Sequence, residues 1–110
     1  MVVYIPKRGD IVWLEFDPQK GKEIQKTRPA LVISPAQYNQ KTGLALLMPI
    51  TSQIKGYPFE VIISLPKISG AVLSDQVRSL DWKARKAKFI ATLPQDILQD
   101  VLAKLQVLLD

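Results

Sequence analysis

Short apolar runs separated by polar, turn-forming segments make up most of the chain, and this pattern predicts short β-strands. In the clearest run, residues 10–17, Val12 and Leu14 point to one face and Trp13 and Glu15 to the other. Further strands are predicted at residues 28–34, 44–50, 59–64, 70–73, 76–80 and 88–92.

The period of the apolar residues changes near the end of the chain. From residue 94 onward they follow spacings of one, three and four, which places them on one face of a helix. We expect this helix to span residues 94–109, with Pro94 in its first turn and Thr92 capping its start. The polar segments 17–27 and 37–43 are predicted to be loops, the first of them long and exposed.

Six or seven short strands followed by one helix indicate a mainly β fold. We expect a small, strongly curved antiparallel sheet or barrel with the helix packed on it. The 110 residues, of which 47% are hydrophobic, predict one packed domain over residues 1–110. The longest apolar run, residues 44–50, is far shorter than a membrane span, and no targeting segment is visible, so we expect a cytoplasmic protein.

The amino-acid composition restricts the reactions that the chain can catalyse more than it restricts the fold that the chain can adopt. The chain has no cysteine and no histidine, which excludes disulfides, thiol nucleophiles, imidazole bases and His- or Cys-ligated metal sites. Residues 1–94 carry 14 basic and 7 acidic side chains, whereas residues 95–110 carry one basic and three acidic. A basic surface suits an anionic partner such as nucleic acid, although a net charge of +5 also serves solubility alone.

Three groups of polar side chains lie at the ends of predicted strands. Arg28 precedes Pro29, which holds it in an extended conformation, so it either presents its guanidinium at a fixed point or supports the loop. Thr51 and Ser52 follow a buried strand and suit either phosphate binding or turn formation. The third group is Asp75-Gln76, which either reads base edges, orients an arginine or forms a turn. A weaker signal is the basic run at residues 83–88, which follows Trp82.

The order of these features along the chain resembles the MazF/PemK family of toxin endoribonucleases. The resemblance covers nearly all 110 residues and is closest to the MazF branch. It rests on the following segments: GDIVW at 9–13, FDP at 16–18, GKE at 21–23, RPALVISP at 28–35, YN at 38–39, KTG at 41–43, PIT at 49–51, KGYPFE at 55–60, DQVRS at 75–79, Trp82, AR at 84–85 and the last helix.

This resemblance implies an SH3-like barrel with a C-terminal helix, paired as a homodimer. It also implies an enzyme that cuts single-stranded RNA at short motifs without a metal ion or cofactor. In that reaction the 2′-hydroxyl of the RNA is the nucleophile and the products carry 2′,3′-cyclic phosphate and 5′-hydroxyl ends. Such a mechanism suits a chain without histidine or cysteine, because the substrate supplies the nucleophile.

The resemblance also implies roles for individual residues. Arg28 and Thr51 match the catalytic arginine and threonine of the family, and Glu23 matches a loop carboxylate that orients Arg28 or accepts the 2′-hydroxyl proton. Ser52 is expected to assist Thr51, and Phe59 is expected to be a core residue. The remaining residues that fall where the family lines its RNA groove are Asn39, Lys55, Tyr57, Asp75, Gln76 and Arg85.

The implied protein partner is an antitoxin with an acidic, partly disordered tail that covers the basic groove. The chain departs from the family at Ile24 and Lys26, which bears on cleavage preference, and Leu73 replaces an arginine of the PemK branch. The alternatives are a non-catalytic binding module, or a toxin on the same barrel that resembles the gyrase poison CcdB.

Overall fold

The computed structural model describes residues 3–15 and 27–110. Within these ranges the elements are, in chain order, β1 (Asp10–Glu15), β2 (Thr27–Val32), α1 (Ala36–Thr42), β3 (Leu44–Thr51), β4 (Glu60–Ser64), β5 (Ser69–Leu73), β6 (Arg78–Asp81), β7 (Lys88–Thr92) and α2 (Gln95–Leu109). The strands pair antiparallel in the order β4-β5-β3-β2-β1-β7, and β6 pairs with β3 beside that path. The predicted fold class, a mainly β protein with a curled antiparallel sheet and a C-terminal helix, is confirmed.

Strand β3 produces the curl of the sheet by changing partners along its length. Its first half, residues 44–47, pairs with β6, whereas Ile50 and Thr51 pair with β5. Pro49, which has no N–H to donate, lies where the change occurs. Strand β2 stays paired with the middle of β3, so the sheet bends at this point and the end of β3 emerges at its rim.

The alternation in β1 divides the core into two clusters, one on each face of the sheet. Ile11 belongs to the cluster that packs against α2 through Leu98 and Val101. Val12 and Leu14 belong to the cluster closed by Leu80 and Trp82. The orientation predicted for residues 12–15 therefore agrees with the structure, and α2 lies where the sequence period predicts it. Within the described residues no helix is both long and apolar enough to cross a membrane.

Residues 37–42 of the predicted loop 37–43 instead belong to helix α1, and Gly43 caps the end of this helix in a left-handed conformation (φ +75°). Polar contacts rather than an apolar stripe hold this helix. Asn39 Nδ2 donates to the carbonyl oxygens of Pro6 (2.8 Å) and Ser34 (3.0 Å), and Trp82 Nε1 donates to Asn39 O (3.0 Å). A periodicity search cannot detect a seven-residue helix that is fixed in this way.

The prediction that Thr92 caps the last helix is wrong. Thr92 belongs to β7, where it pairs with Asp10, and the residue before the helix is Pro94, which makes no side-chain capping bond. The other strands match their predicted positions to within two residues, as far as they fall inside the described ranges.

Candidate functional site

Two adjoining cavities lie at the rim where β3 ends, and together we call them the groove. The larger cavity, about 640 Å³, lies between β2 and the end of β3, with Arg28 and Ser52 in its wall. The smaller cavity, about 240 Å³, lies under the segment that follows β3 and contains Lys55 and Asp75. The two cavities share four lining residues, Thr51, Gln53, Leu73 and Gln76, so they form one continuous surface.

Strand register brings Arg28 and Thr51 to the same cavity. The ladder between β2 and β3 ends with the pair Ala30–Pro49, and Arg28 and Thr51 each lie two residues beyond that pair on the same side. Both residues line the larger cavity, Arg28 as an exposed side chain and Thr51 as a half-buried one. Residues on separate strands, 23 positions apart in the sequence, are thus neighbours across one cavity.

The hydroxyl group of Thr51 takes part in the turn that follows β3. Gln53 N–H donates to Thr51 Oγ1 over 3.1 Å. A hydroxyl that accepts one bond still has its own proton to donate. Thr51 therefore does help to form the turn, which is one of the two roles that its place in the sequence suggested. Its hydroxyl proton remains available for a ligand in the larger cavity.

Segments from both sides enclose the smaller cavity. On one side is the loop of residues 52–59, where Tyr57 is 60% exposed and Lys55 is also exposed. On the other side is the turn that carries Asp75 and Gln76, both exposed. An aromatic ring, a cation and two hydrogen-bonding side chains therefore face one small volume, a combination suited to an unpaired base and its phosphate.

Buried Ser74 joins the two sides of the smaller cavity. Its N–H donates to Phe59 O (3.1 Å), and its hydroxyl donates to the same oxygen (2.5 Å). Phe59, expected in the core, is only half-buried and lines the cavity. The contact fixes the spacing between the loop of residues 52–59 and the turn of residues 75–76.

Two of the predicted site residues lie elsewhere, and one lies outside the described residues. Asn39 is fully buried, and its amide group is used to hold α1, so the prediction that it binds RNA is withdrawn. Arg85 is not part of the groove: its Nη1 donates to Glu15 O (3.1 Å) at the end of β1. Glu23 lies outside the described residues. The groove brings together the other seven, Arg28, Thr51, Ser52, Lys55, Tyr57, Asp75 and Gln76.

The groove also contains residues that sequence reasoning missed. Trp13 is 38% exposed and lines the larger cavity next to Pro29, its partner in the β1–β2 ladder. The alternation of β1 already predicted that Trp13 points away from Val12 and Leu14, so its accessibility to a ligand could have been inferred from the sequence. Gln53 carried no comparable signal, and Glu60 belonged to the family segment KGYPFE without a role of its own, because only the course of residues 52–60 around the smaller cavity brings them there.

Comparison with known proteins identifies the family of the chain. Residues 7–109 match the family described as PemK-like, MazF-like toxin of type II toxin-antitoxin system. The endoribonuclease toxin MazF of Escherichia coli K12 is 48% identical over 106 residues, covering 96% of each chain. The E. coli endoribonuclease PemK is 34% identical over 108 residues, covering 94% of this chain and 81% of PemK.

Solved structures give the same result. MazF from Deinococcus radiodurans superposes with a TM-score of 0.86 at 51% identity, covering 97% of this chain and 98% of that one. A MazE–MazF structure from the same organism gives a TM-score of 0.87 at 47% identity, with 97% of each chain covered. The curled sheet with its C-terminal helix is therefore the fold of a class of small toxins whose E. coli members MazF and PemK are endoribonucleases. The chain belongs to the PemK-like, MazF-like toxin family of type II toxin–antitoxin systems.

Proposed function

We propose that this toxin is a sequence-specific endoribonuclease that cuts single-stranded RNA without a metal ion or cofactor, using the 2′-hydroxyl of the RNA as the nucleophile. The observation that carries the proposal is the placement of Arg28 and Thr51 in one cavity at the end of β3. The family and the endoribonucleases at 34–48% identity support it.

In the proposed reaction the 2′-oxygen forms a bond to phosphorus and the bond from phosphorus to the 5′-oxygen breaks. The products are a 2′,3′-cyclic phosphate and a 5′-hydroxyl end. The planar donors of Arg28 contact the non-bridging phosphate oxygens, on which negative charge grows as the 2′-oxygen attacks. Thr51 donates its hydroxyl proton in a hydrogen bond to the same phosphate, with Ser52 beside it.

Two protons move in this reaction. The 2′-hydroxyl loses a proton, and Glu23 is the residue we propose to accept it. The leaving 5′-oxygen gains a proton, for which Arg28 is the proposed donor. Because a guanidinium group stays protonated at ordinary pH, Arg28 suits charge stabilisation and proton donation better than the role of a base.

The smaller cavity is the proposed site for a base that flanks the cut. Tyr57 offers a ring for stacking, Lys55 meets a phosphate, and Asp75 and Gln76 offer hydrogen-bonding groups for base edges. For Arg85, RNA binding remains a prediction: it lies at the end of β1, where the segment of residues 16–26 begins.

The proposed partner is an antitoxin whose acidic tail covers the groove, which agrees with the excess of basic residues in positions 1–94. The solved MazE–MazF structures from D. radiodurans support a protein partner for this toxin. We further propose a cytoplasmic homodimer, as the family resemblance implies.

Incubation of the purified protein with a long mixed-sequence RNA in EDTA tests this function. Discrete fragments support the endoribonuclease. Intact RNA together with inhibition of DNA gyrase supports the gyrase-poison alternative, and intact RNA that is nevertheless bound supports a non-catalytic binding module.

A further inference from the structure

The side chain of Glu60, the first residue of β4, holds the middle of the loop of residues 52–59 in place. Glu60 Oε1 accepts the N–H of Gly56 (2.9 Å) and the N–H of Lys55 (3.1 Å), and Glu60 Oε2 lies 3.3 Å from the same Lys55 nitrogen. Gly56 has a φ of +79°, and in this conformation its N–H points to the Glu60 carboxylate, next to the N–H of Lys55. One half-buried carboxylate thus satisfies two successive backbone donors.

The rest of the loop is held at its two ends. At the start, Gln53 N–H donates to Thr51 Oγ1, and at the finish, Phe59 O accepts both bonds from Ser74. The bonds to Glu60 lie between these points, directly at Lys55 and next to Tyr57. Glu60 N–H also donates to Tyr57 O (3.1 Å), so this one residue holds both sides of the turn that carries Tyr57.

The chemistry of the carboxylate matters because an ionised glutamate accepts hydrogen bonds and donates none. A carboxylate that accepts two backbone N–H bonds makes charge-assisted hydrogen bonds, which are stronger than neutral ones. Replacement by glutamine keeps one acceptor oxygen but turns an NH₂ group toward the Lys55 N–H, whereas replacement by alanine removes both acceptors.

We propose that Glu60 is a positioning residue that fixes the loop of residues 52–59 over the smaller cavity and thereby determines which base that cavity accepts. Glu60 acts through Lys55 and Tyr57 and has no part in the transfer of protons or in the attack on phosphorus. This inference rests on the proposed endoribonuclease function and adds to it a residue that controls sequence preference.

The test compares the wild type with Glu60→Ala and Glu60→Gln. Each protein is assayed on an oligonucleotide that contains the preferred motif and on a randomised RNA library whose cut ends are mapped. For Glu60→Ala we expect KM to rise about tenfold, kcat to change less than threefold and the motif to become less selective, because the loop loses its charge-assisted bonds. The KM and the motif selectivity of Glu60→Gln should lie between those of the wild type and those of Glu60→Ala.

Thr42→Val is the matched control. Thr42 Oγ1 accepts the Leu44 N–H (3.0 Å) at an exposed position outside both cavities, so this variant also loses an exposed side-chain-to-backbone bond. It should leave KM, kcat and the motif unchanged. Amide hydrogen exchange gives a second readout, in which the Lys55 and Gly56 amides should exchange faster in Glu60→Ala than in the wild type.

An unchanged motif and KM in both Glu60 variants overturn the inference while the endoribonuclease function stands. A fall in kcat with unchanged KM also overturns it, since Glu60 would then act in the chemical step. If Glu60→Ala does not fold, Glu60→Gln alone decides between these outcomes. Intact RNA with the wild type removes both the proposed function and this inference.

Discussion

The backbone of Gly70 passes so close to the carbonyl group of Thr51 that no side chain fits between them. A Cβ atom built on Gly70 would lie 3.1 Å from the carbonyl carbon of Thr51 and still closer to its oxygen. Gly70 has a φ of +148°, which other residues rarely adopt. The close approach of β5 to the end of β3 therefore fixes the backbone of Thr51.

Replacement of Gly70 by alanine should disturb the groove. The new Cβ forces β5 and the end of β3 apart, so we expect cleavage of RNA to fall at least tenfold and the free energy of unfolding to fall by about 1–3 kcal/mol. Gly43→Ala is the control: Gly43 has a φ of +75°, but a Cβ atom added there meets no other atom within 4 Å. It should cost stability without changing cleavage, and equal losses of activity in the two variants would contradict a role for the contact with Thr51.

Removal of the Arg28 side chain should abolish most of the activity without unfolding the protein. Arg28 is exposed, so Arg28→Ala should shift Tm by only a few degrees, while cleavage falls roughly 100-fold or more through loss of a transition-state donor. Arg28→Lys should recover only a part, because an ammonium group cannot form the two parallel bonds of a guanidinium. Arg28 has no part in the reaction if cleavage by Arg28→Ala equals that of the wild type.

A hydrogen bond from Tyr4 to Asp10 links the N-terminal segment to β1, and titration of Tyr4 should change the stability of the protein. Tyr4 donates its hydroxyl to Asp10 Oδ2 (2.6 Å), and Asp10 is almost fully buried. Burial raises the pKa of Tyr4 far above its ordinary value, and the hydrogen bond to Asp10 and the negative charge of Asp10 raise this pKa further. The folded state therefore holds the Tyr4 proton more tightly than the unfolded state does.

The sign of the pH effect follows from this raised pKa. The stability contributed by Tyr4 is fully present below its unfolded pKa of about 10 and decreases as the pH rises above that value. Tyr4→Phe should be less stable than the wild type at pH 7, by about 1–2 kcal/mol, and should lose stability less steeply above pH 10. Urea unfolding between pH 7 and 11 measures both effects, and parallel curves for the two proteins would contradict the assignment.

Lys86 is the one non-glycine residue with a positive φ (+56°) in the part of the chain that the structure describes. Lys86→Gly should raise the free energy of unfolding by about 1 kcal/mol through relief of this conformation. The pair between Lys86 Nζ and Glu15 Oε2 is long (3.9 Å) and exposed on the lysine side, so its loss should cost little. Lys86→Ala loses the same charge but keeps the strain, and a glycine variant no more stable than this alanine variant would contradict the explanation.

Local patterns in the sequence predicted most of the fold. The alternation at Val12, Trp13 and Leu14 gave the two faces of β1, and the helical spacing near Leu98 gave α2. Helix α1 was missed because its stability comes from the contacts of Asn39 with distant residues such as Pro6. The predicted strand at 88–92 includes Thr92 correctly, but its expected capping role is wrong because Thr92 pairs with Asp10 in β7 and Pro94 directly precedes the helix.

The candidate site depended on distances that local patterns do not contain. Arg28 and Thr51 stood out at the ends of predicted strands and by resemblance, and the antiparallel pairing of β2 with β3 brings those strand ends to one cavity. The resemblance also selected Asn39, whose buried amide instead holds α1 by hydrogen bonds to Pro6 and Ser34. Glu60 lies in the family segment KGYPFE, but its hydrogen bonds to Lys55 and Gly56 exist only in the folded chain, and so does the close approach of Gly70 to Thr51.

In the proposed mechanism the RNA supplies its own nucleophile to the cavity that Arg28 and Thr51 help to line. The most direct measurement compares two oligonucleotides that are identical except for a single 2′-deoxy nucleotide on the 5′ side of the cut, both incubated with the wild type in EDTA. We predict that the all-RNA strand is cut to a 2′,3′-cyclic phosphate and a 5′-hydroxyl end, while the substituted strand stays intact. Cleavage of the substituted strand, or products with 5′-phosphate ends, would contradict the mechanism.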